Sequence, residues 1–397
     1  MSFRAGVEDM RSEVMQRFDV DPGSVRVVVS PYRVCPLGAH VDHQLGQVTG
    51  MTIDQGVILA YAPAGDRCVR LISRDFPGEV SFFLDAVPGR REGDWGNYPR
   101  GAVRALQERF PLERGIVGLT SGRLAEGGLS SSAAIGVAYL LALEEANGIQ
   151  VSARDNILLD QAIENDYLGL RNGILDQATI LLSKRGFLTH IHCSDGSHSL
   201  IPPAAHMPSF AFVIAFSGLQ QALVSTDYNR RVEECATAAR TLLDACGRTD
   251  APALLGHVTR AEYLEHADTL TGAPARRAAH FFAETERVEQ GVEAWRAGDL
   301  DRFGALITAS GSSSIHQYEC GCEPLIDLYD ILTNTPGVYG ARFSGAGFRG
   351  CCVAMVRADA AAAIVTQVQE AYQSAQPQLA AKAPVLVCAP GHGAGHV

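Results

Sequence analysis

The sequence lacks the commonest nucleotide-binding signatures. No Gly-Lys-Ser/Thr follows a glycine-rich run, so a Walker loop is absent. No Gly-x-Gly-x-x-Gly follows a strand and opens a helix with an acid about 20 residues on, which argues against Rossmann dehydrogenases and protein kinases. Positive charge is in deficit: 33 Lys and Arg against 44 Asp and Glu leave a net charge of −11. That balance disfavours nucleic acid or an anionic membrane as the main partner. No apolar run of about 18 residues occurs, so no transmembrane helix is expected. Met1–Gln16 is charged without an apolar centre, unlike a secretory signal, and a cytoplasmic protein is expected. The 10 cysteines lack Cys-x-x-Cys spacing, so neither a zinc site nor a disulfide framework is indicated. Cys320 with Cys322, and Cys351 with Cys352, read as buried reduced thiols.

What is present suits a large mixed protein. A chain of 397 residues with 47% hydrophobic content can bury an ample core in two domains or one two-lobed unit. Met1–Phe18 reads as helical. Val25–Ser30, Val57–Ala62, Cys68–Ser73 and Val80–Leu84 read as strands, with Gly and Pro between them. Tyr98–Glu108, Ala133–Asn147 and Asn156–Asn165 read as helices. Gly186–His192 and Phe210–Phe216 are apolar and strand-like, and Thr226 to about Ser314 is largely helical. Tyr339–Phe343 and Cys352–Arg357 read as strands around a glycine-rich turn, followed by a helix to Ala375 that Asp359 is placed to cap. The Gly/His-rich tail from Ala389 is expected to be mobile. Strands crowd the first half and helices the second, which predicts two α+β lobes with a cleft between them.

The most informative stretch is residues 122–134, Gly-Arg-Leu-Ala-Glu-Gly-Gly-Leu-Ser-Ser-Ser-Ala-Ala. Gly127 and Gly128 let backbone N–H groups converge on a ligand. Ser130, Ser131 and Ser132 then open a helix, where hydroxyls can cap it, bond phosphate or bind a metal. A single cap needs one serine, so three favour a nucleotide polyphosphate with Mg2+. Three constellations accompany this loop. Pro31–His43 follows a strand and carries Arg33, His40, Asp42 and His43, residues suited to sugar hydroxyls and to an anion; a polar surface loop is the alternative. Glu164–Gln177 carries Glu164 on a helix and Asp176 beyond Gly173. These carboxylates suit Mg2+ and an acceptor hydroxyl, or are only caps and surface acids. Gly340–Cys352 holds Gly345, Gly347 and Gly350, either a tight hairpin or an anion nest.

In this order the motifs resemble those of the GHMP kinases, named for galactokinase, homoserine kinase, mevalonate kinase and phosphomevalonate kinase. Arg33…Leu-Gly-Ala-His-Val-Asp42 resembles the galactokinase sugar signature and Gly127–Ala134 the family's phosphate loop. Ile174-Leu-Asp-Gln177 resembles the segment with the catalytic aspartate, and Ser344–Cys351 the C-terminal glycine motif. The resemblance implies a two-lobed α+β fold, with the sugar signature and phosphate loop in residues 1–200 and the glycine motif in 201–397. It implies ATP-dependent phosphorylation of a sugar's anomeric hydroxyl with Mg2+. Asp176 would take or orient the hydroxyl proton while Arg33 stabilises the transferring phosphoryl group. Ser132 and Glu164 would bind Mg2+, and Gly127, Gly128, Ser130 and Ser131 would cradle phosphate. His40, Asp42, Tyr228 and Ala346 would meet the sugar, and Trp95 the adenine. Where the galactokinase signature has a glutamate facing the sugar's C6, this chain has Ala39. That change makes room for a C6 carboxylate, for which Arg171 and Arg349 are candidate counter-ions. The implied acceptor is a sugar acid, D-galacturonate; galactose, glucuronate and a non-catalytic sugar and nucleotide sensor are the alternatives. A monomer or weak homodimer is expected.

Overall fold

The structure is a computed structural model, and it describes residues 3–122, 128–219, 227–348 and 350–397. The first half contains α1 (Phe3–Phe18), β1 (Arg26–Val34), β2 (Gln47–Pro63), β3 (Cys68–Ser73), β4 (Glu79–Phe83), α2 (Asn97–Gln107) and β5 (Ile116–Gly122). It continues with α3 (Ser131–Ala146), α4 (Ala153–Ala162), α5 (Leu175–Leu182), β6 (Leu188–His192) and β7 (His198–Ile201). The second half contains β8 (Phe210–Phe216), α6 (Tyr228–Ala245), α7 (Arg260–His266), α8 (Gly272–Arg296), α9 (Leu300–His316) and α10 (Glu323–Thr333). It closes with β9 (Val338–Phe343), β10 (Cys351–Arg357), α11 (Ala361–Ala375), β11 (Val385–Cys388) and β12 (Gly395–His396).

Two sheets result. The larger has the order β12-β1-β2-β5-β3-β4, with β6 and β7 branching from β2. The smaller has the order β11-β8-β10-β9. Strand β8, Phe-Ala-Phe-Val-Ile-Ala-Phe, is apolar throughout because both its edges and both its faces are covered. Helix α3 carries Ala, Val and Leu around most of its circumference and is correspondingly buried among α2, α4, β1 and β2. It forms the centre of the first lobe and presents its N-terminus to the cleft.

Strand β1 runs past the predicted end at Ser30 into Val34, and a shift of register between Pro31 and Arg33 bends it there. Pro31 has no N–H for the ladder, and a Cβ at Gly56 opposite would lie 2.3 Å from Ser30 O. The bulge places Arg33 at the cleft, where its N–H reaches Leu129 O of the phosphate loop at 3.4 Å.

The tail is ordered against the first lobe, contrary to the expectation of mobility. Ala389 and Gly391 exchange backbone hydrogen bonds with Thr52 and Asp54, Gly393 and Ala394 donate to Ser183 O and Ile180 O, and Gly395–His396 pairs with β1. The glycines permit this path: a Cβ at Gly391 would lie 2.4 Å from Ile53 O. Asp359 does not cap α11; it pairs with Arg357 at 2.6 Å, and Ala360 occupies the cap position. None of the ten cysteines is in a disulfide, and eight of them are buried.

Candidate active site

Asp176 enters the cleft at the second residue of α5. Both Nε and Nη2 of Arg33 approach its Oδ1 at 2.7 Å, and Ser130 Oγ donates to its Oδ2 at 2.6 Å. Ser130 is the residue before α3, with left-handed backbone (φ +59°), and its hydroxyl makes no capping bond. The plain reading of the serines as helix caps therefore fails at Ser130, whose hydroxyl is committed to Asp176. Burial disfavours the Arg33 charge, but Asp176 more than offsets this and holds the guanidinium above its ordinary range. Arg33 Nη1 is buried without a partner among the described residues.

Two residues further on, Ser132 Oγ donates to Glu164 Oε1 at 2.5 Å. Glu164 sits in a π-helical turn, Ile163–Tyr167, that continues α4. Such turns are common at functional sites because they re-aim one side chain out of the α register. Asn172 Nδ2 donates to the other Glu164 oxygen at 2.9 Å, and its own backbone is held by Asn165 and Gln161. Burial first, then the nearby Asp176 charge, push Glu164 up to about 7. One turn deeper lies Asp160, fully buried with neither oxygen partnered among the described residues; burial and the Glu164 charge push it well above the usual carboxylate range.

The loop after β1 supplies the other wall. Asp42 is raised to about 6, by burial and then by Asp176, while backbone N–H groups of His43 and Leu175 support its charge. Gly173 is required beside it, since a Cβ there would lie 2.5 Å from Asp42 Oδ2. His40 stacks on Tyr318 with ring centroids 4.1 Å apart, and burial holds it neutral, well below the usual histidine range. His43 Nε2 meets Tyr318 Oη at 3.2 Å; because Gln44 Nε2 donates to His43 Nδ1 at 3.0 Å, Nε2 carries the proton. Tyr228, the first residue of α6, meets the His43 ring edge-on at 6.1 Å.

Several of these groups border one cavity of about 670 Å³, while His43, Tyr318 and Asp160 do not line it. Arg33, His40, Asp42, Asp176 and Tyr228 line it, as do Gly128, Ser130–Ser132, Trp95 and Tyr98. Ala346 lines it too, beside Gly345, whose left-handed turn (φ +66°) closes on the phosphate loop: a Cβ at Gly345 would lie 2.7 Å from Gly128 O. Glu164 is buried behind this wall. Ala39 is buried and does not itself line the cavity. Arg171 is not brought to it: its side chain is 60% exposed and pairs with Glu233 on α6, while its neighbours Leu170 and Asn172 face the cavity. Gly127 and Arg349 lie outside the described residues. Sequence reasoning assigned no role to Asn172, Asp160 or Tyr318. Asn172 stood inside a recognised motif, and an asparagine beside a suspected metal carboxylate was the available signal. Nothing local marks Tyr318, whose partners His40 and His43 lie about 280 residues away and His280 and Arg277 about 40.

The chain matches the GHMP kinases N terminal domain over residues 97–184 and the GHMP kinases C terminal domain over residues 292–374. It is 49% identical to the galacturonokinase of Arabidopsis thaliana, covering 98% of this chain and 97% of that protein. It is 30% identical to a galactokinase of Roseiflexus sp. (strain RS-1), over 98% and 97% of the two chains. The crystal structure of Lactococcus lactis galactokinase complexed with galactose superposes with a TM-score of 0.89 at 28% identity, covering 98% of each chain. The Methanococcus jannaschii mevalonate kinase shares the fold at a TM-score of 0.66, with 16% identity over 93% of this chain and 99% of that one. With a serine-rich loop at the start of α3, a glycine turn closing on that loop and an aspartate gripped by an arginine beside it, the chain belongs to the GHMP kinase family, in its galactokinase-like branch.

Proposed function

We propose that this chain transfers the γ-phosphoryl group of ATP to the anomeric hydroxyl of D-galacturonate, giving ADP and α-D-galacturonate 1-phosphate. The observation that carries the reading is the seating of Asp176, with Arg33 on one oxygen at 2.7 Å and Ser130 on the other at 2.6 Å. An aspartate fixed in this way is ready to accept or orient a hydroxyl proton, and phosphoryl transfer needs little more than such positioning and charge neutralisation. Nη1 of Arg33, which has no partner among the described residues, is available to an oxygen of the transferring group, where charge-assisted donation stabilises the transition state. Asp42, His40 and Tyr228 bind the acceptor's hydroxyls, and the backbone at Gly128–Ser131 binds phosphate. Trp95 flanks the base.

Mg2+ fits the residues present. Ser132 Oγ and Glu164 Oε1, 2.5 Å apart, are hard oxygen donors beside the phosphate loop. Magnesium commonly takes one or two protein oxygens and completes its shell with phosphate and water. When bound, the ion supplies charge neutralisation on the polyphosphate. Asn172 keeps Glu164 aimed at Ser132, and Glu164 must be ionised to serve.

Galacturonate is favoured over galactose by the 49% identity to a galacturonokinase, and by Ala39 standing where the galactokinase signature it resembles has a glutamate. The deciding experiment is ADP release with galacturonate, galactose and glucuronate in parallel. A kcat/KM highest on galacturonate supports the reading. Preference for galactose or glucuronate refutes the acceptor, and no turnover with any of them refutes the kinase activity.

A further inference from the structure

The loop that carries His40 and Asp42 is strained. Gly38 (φ +100°) and His40 (φ +57°) both have left-handed backbone, with Ala39 between them. A histidine held there must be over-determined by its surroundings. The restraint comes from the other half of the chain. Glu284 Oε1, on α8, accepts the N–H groups of Gly38 at 2.8 Å and Ala39 at 3.0 Å. One turn earlier, His280 Nε2 lies 2.8 Å from Ala39 O. A carbonyl only accepts, so Nε2 carries the proton. Burial keeps the His280 ring neutral, at about 4, so its Nδ1 is unprotonated; it lies 2.8 Å from Ser313 Oγ, a hydroxyl that also meets Gln317 Oε1 at 2.6 Å. Glu284 is fully buried, which opposes its charge, yet Arg287 and neighbouring cations hold it at about 2. It receives Ser310 Oγ at 2.6 Å and Arg287 Nε at 2.6 Å. Neither His280 nor Glu284 lines the cavity.

We propose that His280 and Glu284 are positioning residues for the acceptor. Spaced four apart on one face of α8, they grip the residue-39 peptide from both sides and so set where His40 and Asp42 stand relative to Asp176. Acceptor affinity then depends on the α8–α9 pair, although neither helix residue touches the sugar. This rests on the sugar-kinase reading above.

The test compares His280→Leu, which deletes the donor to Ala39 O, with His280→Gln, which restores an N–H at similar reach. Ser313→Ala only loosens the ring. His280→Leu is expected to raise KM for the sugar acid about tenfold, the worth of one buried hydrogen bond, with KM for ATP and kcat within about threefold. His280→Gln should recover most of that loss, and Ser313→Ala should show a smaller rise in the same direction. A folded His280→Leu with unchanged acceptor KM overturns the proposal, as does a rise in both KM values that His280→Gln does not repair. If His280→Leu does not fold, Ser313→Ala decides: an unaltered acceptor KM there overturns the proposal. Wild-type turnover of galactose or glucuronate but not galacturonate refutes only the acceptor, and the same comparison is then run on the sugar that is used. A wild type inactive on all three overturns both readings.

Discussion

Replacing Glu164 with Gln is expected to abolish most activity while making the nucleotide-free protein more stable above neutral pH. The carboxyl stands at about 7 in the folded chain against 4.5 for an ordinary glutamate, burial being the first cause and Asp176 the second. A raised carboxyl pKa means that the folded state holds its proton more tightly than the unfolded state. Stability from this group is therefore complete below about pH 4.5 and is lost as pH rises through about 7. The gap is worth up to roughly 3 kcal/mol, and relaxation around a charged Glu164 will reduce it, so about 1–3 kcal/mol is expected. Glutamine avoids that cost and keeps both contacts. Its oxygen accepts from Asn172 Nδ2, while its amide donates to Ser132 Oγ, which can turn to accept. At about 2 °C per kcal/mol for a chain of this size, the Tm difference between Glu164→Gln and wild type should be near zero at pH 4 and reach about 2–6 °C at pH 8. Thermal scans of both proteins across that range, free of nucleotide and metal, provide the assay. A Tm difference that does not change with pH, or a variant less stable than wild type at pH 8, would refute the argument. Mg2+ with ATP should then stabilise wild type more than the variant, because the variant has lost a charged ligand.

Other substitutions separate the roles proposed above. Asp176→Asn keeps shape and removes charge, so turnover should fall by about 10²-fold or more while calorimetry still detects ATP and sugar binding; near-normal kcat would remove Asp176 from the chemistry. Ala39→Glu should lower kcat/KM for galacturonate at least about tenfold relative to galactose, since the longer side chain is expected to reach from the buried position 39 to the acceptor's C6 carboxylate and repel it; an unchanged ratio would sink the argument from this position. Arg171→Ala should alter galacturonate kinetics by less than about twofold, because exposed ion pairs such as Arg171–Glu233 are worth little. A selective loss on galacturonate would instead make Arg171 a counter-ion after all.

Much of the site was legible because its signals are local. Cys68–Ser73 and Phe210–Phe216 were bounded correctly from apolar, strand-like runs and the glycines and prolines around them. The glycines, the serine run and the Ala/Leu helix of the phosphate loop lie within about 25 contiguous residues, so their spacing specifies a ligand-facing helix start without any long-range contact. The motif order further identified the family before any fold was at hand. Misreadings arose where a partner decides the outcome. The tail's glycines read as looseness, but they allow close packing on Ile53 and the end of α5. Asp359 had the right place for a cap and found Arg357 instead. Arg171 sat between two cavity residues in sequence and turned away from them to Glu233.

The sequence by itself determined that a polyphosphate loop, a sugar loop and a pair of carboxylates exist, because backbone freedom, hydroxyls and charge are properties of adjacent residues. Only the tertiary structure decided which groups act on one another. Arg33 meets Asp176 across 143 positions and Ala39 is gripped by His280 across 241. Glu164 acquires its high proton affinity only once burial strips water from it beside Asp176. Desolvation and through-space charge depend on the packed chain, and spacing along the sequence does not encode them.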